Sequence, residues 1–296
     1  MTPFKERGSR ELKQDYPVFE LGLVGFPLGH SLSPKLHKAA METFSLQGAY
    51  RLYAVPSGDD GVPIMKQLLQ KMRINHIQGL NITIPHKQSI IAYLDHLTPT
   101  AAAIGAVNTI YLDGQNLVGD NTDMQGFWMN INKVQGFFIK KEAKCLVLGA
   151  GGSARAVAFA LVDAGFYVTI AARRVEQAEQ IREQFMGFRD QISVVQWNTR
   201  SEFIADSTLI VNATPIGMHP HSTISPWPLG YPFPKEAIVY DLVYNPVETR
   251  LIKEAKEAGL KAVGGLGMLV EQAALSFQCW TGLPAPREVM MEAAYG

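Results

Sequence analysis

Gly149-Ala150-Gly151-Gly152-Ser153-Ala154 directly follows the apolar run Cys145-Leu146-Val147-Leu148 and opens a helical pattern of small residues over 153–164. The pattern is G-x-G-x-x-G/A with alanine in the third place. A bare match is weak, but one lying between a strand and a helix has a mechanism. Gly149 permits the tight turn, Gly151 lets the backbone approach a pyrophosphate, and Ala154 allows close helix–strand contact. The helix N-terminus then favours the phosphate charge. Residues 167–171 read as the next strand and end in Ala172-Arg173-Arg174, with no carboxylate before Glu176. An NAD site places Asp or Glu there for the ribose 2′-hydroxyl, whereas guanidinium groups suit a 2′-phosphate. NADP is therefore expected over NAD. Arg173 and Arg174 would also serve as ordinary solvated residues.

Four polar segments lie between apolar elements in the first half of the chain. The first runs from Gly25 to Pro34 and on to His37. Ser31 and Ser33 there could each donate to a carboxylate at a helix start. Ser33 before Pro34 equally suits a helix N-cap with proline at the first helical position. The second is Asn81-Ile82-Thr83-Ile84-Pro85-His86-Lys87, in which strand alternation puts Asn81 and Thr83 on one face. The third is Gly105-Ala106-Val107-Asn108-Thr109. The fourth is Gly119-Asp120-Asn121-Thr122-Asp123-Met124-Gln125-Gly126, where Thr122 or Asp123 could cap the next helix.

The elements that must position these residues alternate. Residues 21–24, 50–55 and 78–83 are short and β-rich, and residues 34–44 and 62–72 have helical spacing. Residues 107–112 and 116–119 flank Asp113-Gly114-Gln115 and predict a hairpin. After Gly136 come strands over 145–148, 167–171, 209–213, 238–243 and 261–263. Helices are expected over 153–164, 175–185 and 249–258, and a final long one over 267–280. This order predicts an α/β protein with mostly parallel sheets. The Pro-rich residues 219–234 read as a long loop.

The chain has 296 residues, enough for two domains, and 47% hydrophobic against 18% charged residues makes it globular. With 27 basic and 27 acidic residues there is no global basic field for nucleic acid. Two cysteines cannot build a disulfide framework. No apolar run approaches the roughly 20 residues of a membrane span, and the first 16 residues mix both charge signs without an apolar core. A cytoplasmic protein is the default expectation. The histidines show no zinc-type spacing with cysteine, so no metal is expected.

Taken together, the four polar segments resemble the shikimate dehydrogenase family. The resemblance continues through Asn212-Ala213-Thr214-Pro215-Ile216-Gly217, through residues 241–249 (Asp-Leu-Val-Tyr-Asn-Pro-Val-Glu-Thr) and through residues 264–272 (Gly-Gly-Leu-Gly-Met-Leu-Val-Glu-Gln), in the family's order from about residue 21 to 280. It implies a substrate-binding (catalytic) domain of residues 17–122 plus 265–296 and a Rossmann-type NADP-binding domain of residues 123–264, with the cleft between them. Residues 1–16 would be an extension. Lys87 and Asp123 match the catalytic pair, and Ser31 and Ser33 match the serines that hold the substrate carboxylate. Thr83, Asn108 and Gln272 match hydroxyl-binding positions, and Tyr244 a tyrosine near the substrate. Thr214 falls in the family's NATxxG segment on the cofactor side, and Gly265 and Met268 match positions lining the nicotinamide. Met268 would also serve as plain core packing. Ala172 and Arg174 depart from the Asn-Arg-Thr run usual in NADP-specific members, while Arg173 keeps the arginine.

The implied reaction is reversible NADPH-dependent reduction of 3-dehydroshikimate to shikimate, in chorismate and aromatic amino-acid biosynthesis. As hydride reaches a ketone carbon, charge grows on its oxygen, and an adjacent ammonium can stabilise that charge and deliver the proton. A carboxylate beside the ammonium aims it and favours its charged form. The partner is a small polyhydroxy acid, taken up by a monomer or a homodimer. Two other readings remain: a quinate/shikimate dehydrogenase using NAD, and a non-catalytic NADP or metabolite sensor. Arg173 and Arg174 speak against the first, and the presence of both Lys87 and Asp123 against the second.

Overall fold

The structure, a computed structural model, describes residues 18–134, 137 and 143–296, so the extension of residues 1–16 lies outside the described residues. Two six-stranded sheets organise the chain. The first holds β1 (Phe19–Gly25), β2 (Gly48–Ala54), β3 (Gly79–Ile82), β4 (His96–Leu97), β5 (Thr109–Asp113) and β6 (Asn116–Asp120), in the order β2-β1-β3-β5-β6-β4. β1 pairs parallel with β2 and β3, β4 pairs parallel with β6, and β5 runs antiparallel to β3 and β6. The β5–β6 hairpin turns at Gly114, whose φ of 61° is open to glycine without a Cβ clash. Helices α1 (Ser33–Thr43), α2 (Gly61–Arg73) and α3 (Pro99–Ile104) connect the strands.

Helix α4 (Thr122–Ile131) leads to the second sheet. That sheet holds β7 (Lys144–Leu148), β8 (Tyr167–Ala172), β9 (Ile192–Gln196), β10 (Ser207–Asn212), β11 (Ile238–Asp241) and β12 (Lys261–Gly264), all parallel, in the order β12-β11-β10-β7-β8-β9. α5 (Gly152–Asp163), α6 (Val175–Gln184) and α7 (Arg250–Glu257) are its helices. Both faces are covered, which is why its central strands read as unbroken apolar runs. Cys145, Leu146, Val147 and Leu148 are all buried. The order reverses beside β7, and a ligand crevice lies at the carboxyl ends of the strands at such a point.

The last two helices, α8 (Leu266–Thr281) and α9 (Arg287–Tyr295), return to the first sheet. Val270, Ala273, Ala274 and Phe277 of α8 share an apolar cluster with Phe19, Leu21 and Leu36. α8 also packs on α4, closely enough that glycine is required. A Cβ on Gly126 would stand 2.8 Å from the Gln272 nitrogen, and one on Gly267 would stand 2.0 Å from Asn130 Nδ2.

Two local expectations change. Neither Thr122 nor Asp123 caps α4; Asn121 does, its Oδ1 accepting from the Met124 N–H at 3.2 Å. Asn121 has the extended backbone a cap needs, and Asp123 is thereby released for other contacts. Ser33 is likewise the first residue of α1 and makes no capping bond, the cap position being Leu32. α3, α9 and the edge strands β4 and β9 carry no strong periodicity, and their presence follows from packing.

Candidate active site

Lys87 and Asp123 meet. Lys87 follows β3, Asp123 lies in the first turn of α4, and Lys87 Nζ donates to Asp123 Oδ2. Both are buried, at 8% and 4% exposure. A buried ammonium and carboxylate must be paired, because leaving either one alone in a low dielectric is strongly unfavourable. Lys87 Nζ also donates to Ser153 Oγ at 3.2 Å. A Cβ on Gly152 would lie 2.9 Å from Lys87 Cβ and Cδ, so the glycine loop and the lysine stem are in contact.

A polar network extends from this pair. Asn108 Nδ2 reaches Asp123 Oδ1 and Thr122 Oγ1 at 2.9 Å and Gln272 Oε1 at 3.3 Å, while Asn108 Oδ1 accepts from Thr122 N at 2.7 Å. Asn81 Nδ2 donates to Ser276 Oγ at 2.9 Å and to Thr109 Oγ1 at 3.1 Å, and Asn81 Oδ1 accepts from the Tyr50 hydroxyl at 2.8 Å. Asn81, Thr122 and Ser276 carry this network without standing out in the sequence as site residues. Two signals point to them: Asn81 shares a strand face with Thr83, and Ser276 is one helical turn beyond Gln272.

The remaining substrate-side candidates lie at the border of the network. Ser31 Oγ accepts from Ser33 N at 3.3 Å at the start of α1. Burial pushes the Tyr50 phenol far up, with a hydrogen bond from Ser33 opposing it, so Ser33 lies beside Tyr50. Thr83 touches Gly25, where a Cβ would stand 2.3 Å from Thr83 Cγ2. Tyr244 packs on the apolar cluster that also receives Tyr50 and Leu32. Beneath Tyr50, His37 is fully buried, with rings stacked at 4.2 Å, and burial pushes its imidazole down to about 3.

On the cofactor side, Gly149 has φ of 109°, and its N–H donates to Ala171 O of the neighbouring strand β8 at 2.8 Å. A Cβ there would stand 3.0 Å from Thr214 Cγ2, which puts Thr214 against the loop. Gly151 occupies the N-cap of α5 and faces open space, Ala150 and Ala154 are buried, and Ser153 is the second residue of the helix. Arg173 and Arg174 are exposed just past β8, and neither has a carboxylate partner among the described residues. An open helix N-terminus with two uncommitted guanidinium groups at the adjacent strand end fits a dinucleotide bearing a 2′-phosphate. Gly265 is packed so tightly that a Cβ would stand 2.1 Å from Leu242 O. Met268 is buried in the apolar cluster of the second sheet.

Two further motif positions are structural. Asp241 accepts from Asn212 Nδ2 at 2.8 Å, Val243 N at 3.0 Å and Thr249 Oγ1 at 2.6 Å. Burial raises its carboxyl to about 6 against these bonds. Asn212 Oδ1 in turn accepts from Thr214 Oγ1 at 2.7 Å, so Asp241 and Asn212 hold the segment that carries Thr214.

The chain as a whole is similar to known proteins. Residues 23–110 match the model of the shikimate dehydrogenase substrate binding domain, residues 133–219 that of shikimate / quinate 5-dehydrogenase, and residues 265–295 that of the shikimate 5′-dehydrogenase C-terminal domain. The shikimate dehydrogenase (NADP(+)) of Bacillus subtilis is 38% identical over 93% of this chain and 96% of its own. The shikimate 5-dehydrogenase of Thermus thermophilus, solved with NADP(H) and shikimate, is 38% identical over 94% of this chain and 99% of its own, with a TM-score of 0.80. The quinate dehydrogenase of Corynebacterium glutamicum, solved with NAD, is 30% identical over 93% of this chain and 98% of its own, with a TM-score of 0.83. With this coverage at both sequence and structure level, the chain belongs to the shikimate dehydrogenase family.

Proposed function

We propose that this protein reduces 3-dehydroshikimate to shikimate with NADPH, reversibly, and that Lys87 and Asp123 handle the proton. NADPH, when bound, supplies the hydride. The glycine loop 149–154 with Thr214 holds its pyrophosphate, Arg173 and Arg174 its 2′-phosphate, and Gly265 and Met268 border the nicotinamide. Lys87, a buried ammonium, stabilises the negative charge growing on the ketone oxygen and donates the proton that completes the alcohol. Asp123 fixes the ammonium in place by direct contact. Asn108 donates to the same carboxylate, so one amide orients the acid.

Ser31 and Ser33 take the substrate carboxylate, and Thr83, Asn108, Gln272 and Tyr244 its ring hydroxyls. A site built from buried neutral donors rejects analogues that lack a hydroxyl, because its own groups are then left unpaired. Residues 17–122 with 265–296 form the substrate-binding domain, and residues 123–264 form the NADP-binding domain.

The observation that carries this reading is the buried Lys87–Asp123 pair, in contact with Ser153 on one side and Asn108 on the other. The test is turnover of the purified protein with shikimate or quinate and NADP+ or NAD+, followed by absorbance of the reduced cofactor. Shikimate with NADP+ should give the highest kcat/KM. Preference for quinate with NAD+ reassigns the substrate and cofactor, and no turnover with any pair removes the enzyme reading.

A further inference from the structure

Arg155 lies in the first turns of α5, two residues beyond Ser153, and takes no part in the chemistry above. It is 5% exposed, its Nε has no partner, and Nη1 reaches Ile104 O at 3.5 Å. Burial lowers its pKa with no acidic neighbour to offset the effect. A methionine of similar length would fill such a place at lower electrostatic cost. The guanidinium therefore needs an explanation other than stability.

Its surroundings supply one. Ile104 ends α3, and Gly105 follows with φ of 68°. A Cβ on Gly105 would stand 3.3 Å from both Arg155 Nη1 and Gln184 Cδ. Gln184 Nε2, at the end of α6, donates to Ala102 O at 2.9 Å. The carbonyl end of α3 thus receives donors from two helices of the second sheet, one of them cationic, as a helix C-terminus favours. Ile104, Ala106 and Ala156 form a small apolar cluster at the same junction.

The next residues hold both halves of the catalytic pair. Val107 N donates to Lys87 O at 2.7 Å. Asn121, the cap of the helix that carries Asp123, donates from Nδ2 to Ala106 O at 2.8 Å. Asn108 then touches Asp123 itself. We propose that Arg155 is a positioning residue: it anchors residues 104–108 to the cofactor helix and so sets the Lys87–Asp123 pair against the glycine loop. The inference rests on the site reading above and adds a residue to it.

Arg155→Met and Arg155→Lys test it, with kcat, KM, NADP+ affinity by fluorescence titration and thermal stability measured on each. A displacement of about 1 Å at a reacting group can cost on the order of 100-fold in rate. Arg155→Met should keep or raise Tm and keep NADP+ affinity within about threefold, while kcat falls at least about tenfold. Arg155→Lys, retaining a cationic donor, should recover part of kcat. Unchanged kcat in Arg155→Met, a fall that only tracks the unfolded fraction, or no recovery in Arg155→Lys would each overturn the anchor. Lys87→Ala run in parallel separates the two ideas. Activity lost there but kept in Arg155→Met refutes the anchor alone, and activity kept in Lys87→Ala refutes the site reading and the anchor with it.

Discussion

Lys87 Nζ donates to Ser153 Oγ across the seam between the two sheets, at 3.2 Å. One residue comes from the loop after β3 and the other from the first turn of α5, so the proposed proton donor and the glycine loop are in direct contact. Gly152 lies under the lysine stem at the same point.

Gly152→Ala should therefore damage catalysis more than folding. The added methyl would sit 2.9 Å from Lys87 Cβ, which is too near the backbone to swing aside. Steady-state kinetics should show kcat lowered by roughly 10- to 100-fold, as expected for a misplaced acid. A variant with normal kcat would show that the contact does not constrain Lys87.

Cofactor choice should reside in Arg173 and Arg174. Both are exposed past β8 with no ion-pair partner among the described residues, and charge-assisted bonds to a phosphate are the strong kind. Replacing both by Ala should raise KM for NADP+ by about tenfold or more and leave KM for NAD+ nearly unchanged. An equal rise for both cofactors would place the 2′-phosphate elsewhere.

Much of the fold and the site is legible in the residues themselves. The glycine run, the Asp-Gly hairpin and the parallel strands of the second sheet announce themselves because a buried strand is apolar and a phosphate turn needs glycine. The cap of α4 is less legible, since Asn121, Thr122 and Asp123 are all capping types and only the backbone angles select Asn121. Asn81 and Ser276 are hidden because their partners are distant in the chain; the Asn81–Ser276 bond spans 195 positions. Arg155 is invisible for the same reason: it reads as an ordinary helix residue until Ile104 is placed beside it.

Two buried groups should tilt the pH dependence of stability in opposite directions. His37 titrates at about 3 in the folded chain, against 6.5 ordinarily. The unfolded chain takes up that proton first, so stability falls as pH drops from 6.5 toward 3, by at most about 1.4 kcal/mol per unit. Asp241 titrates at about 6, against 3.8 ordinarily. The folded chain keeps that proton longer, so this contribution falls as pH rises from 3.8 to 6. Urea unfolding from pH 4 to 7 should show a shallower acid loss in His37→Phe and a steeper one in Asp241→Asn. Parallel profiles for both variants and the parent would contradict these assignments.

The close approach of α4 and α8 should couple Asp123 to Gln272. Gly126→Ala would drive its methyl to 2.8 Å from the Gln272 nitrogen, so the helices must separate. Overpacking of this kind typically costs about 1–3 kcal/mol. Denaturation should show that loss together with a raised KM for shikimate. Unchanged KM would mean that Gln272 does not reach the substrate.

The most direct measurement is single-turnover hydride transfer in Lys87→Ala, with shikimate and NADP+ binding titrated separately. General acid–base catalysis by one residue contributes roughly 100- to 10,000-fold, so the transfer rate should fall by that order while both affinities stay within a few-fold. A rate equal to that of the parent protein would contradict the assignment of the proton to Lys87.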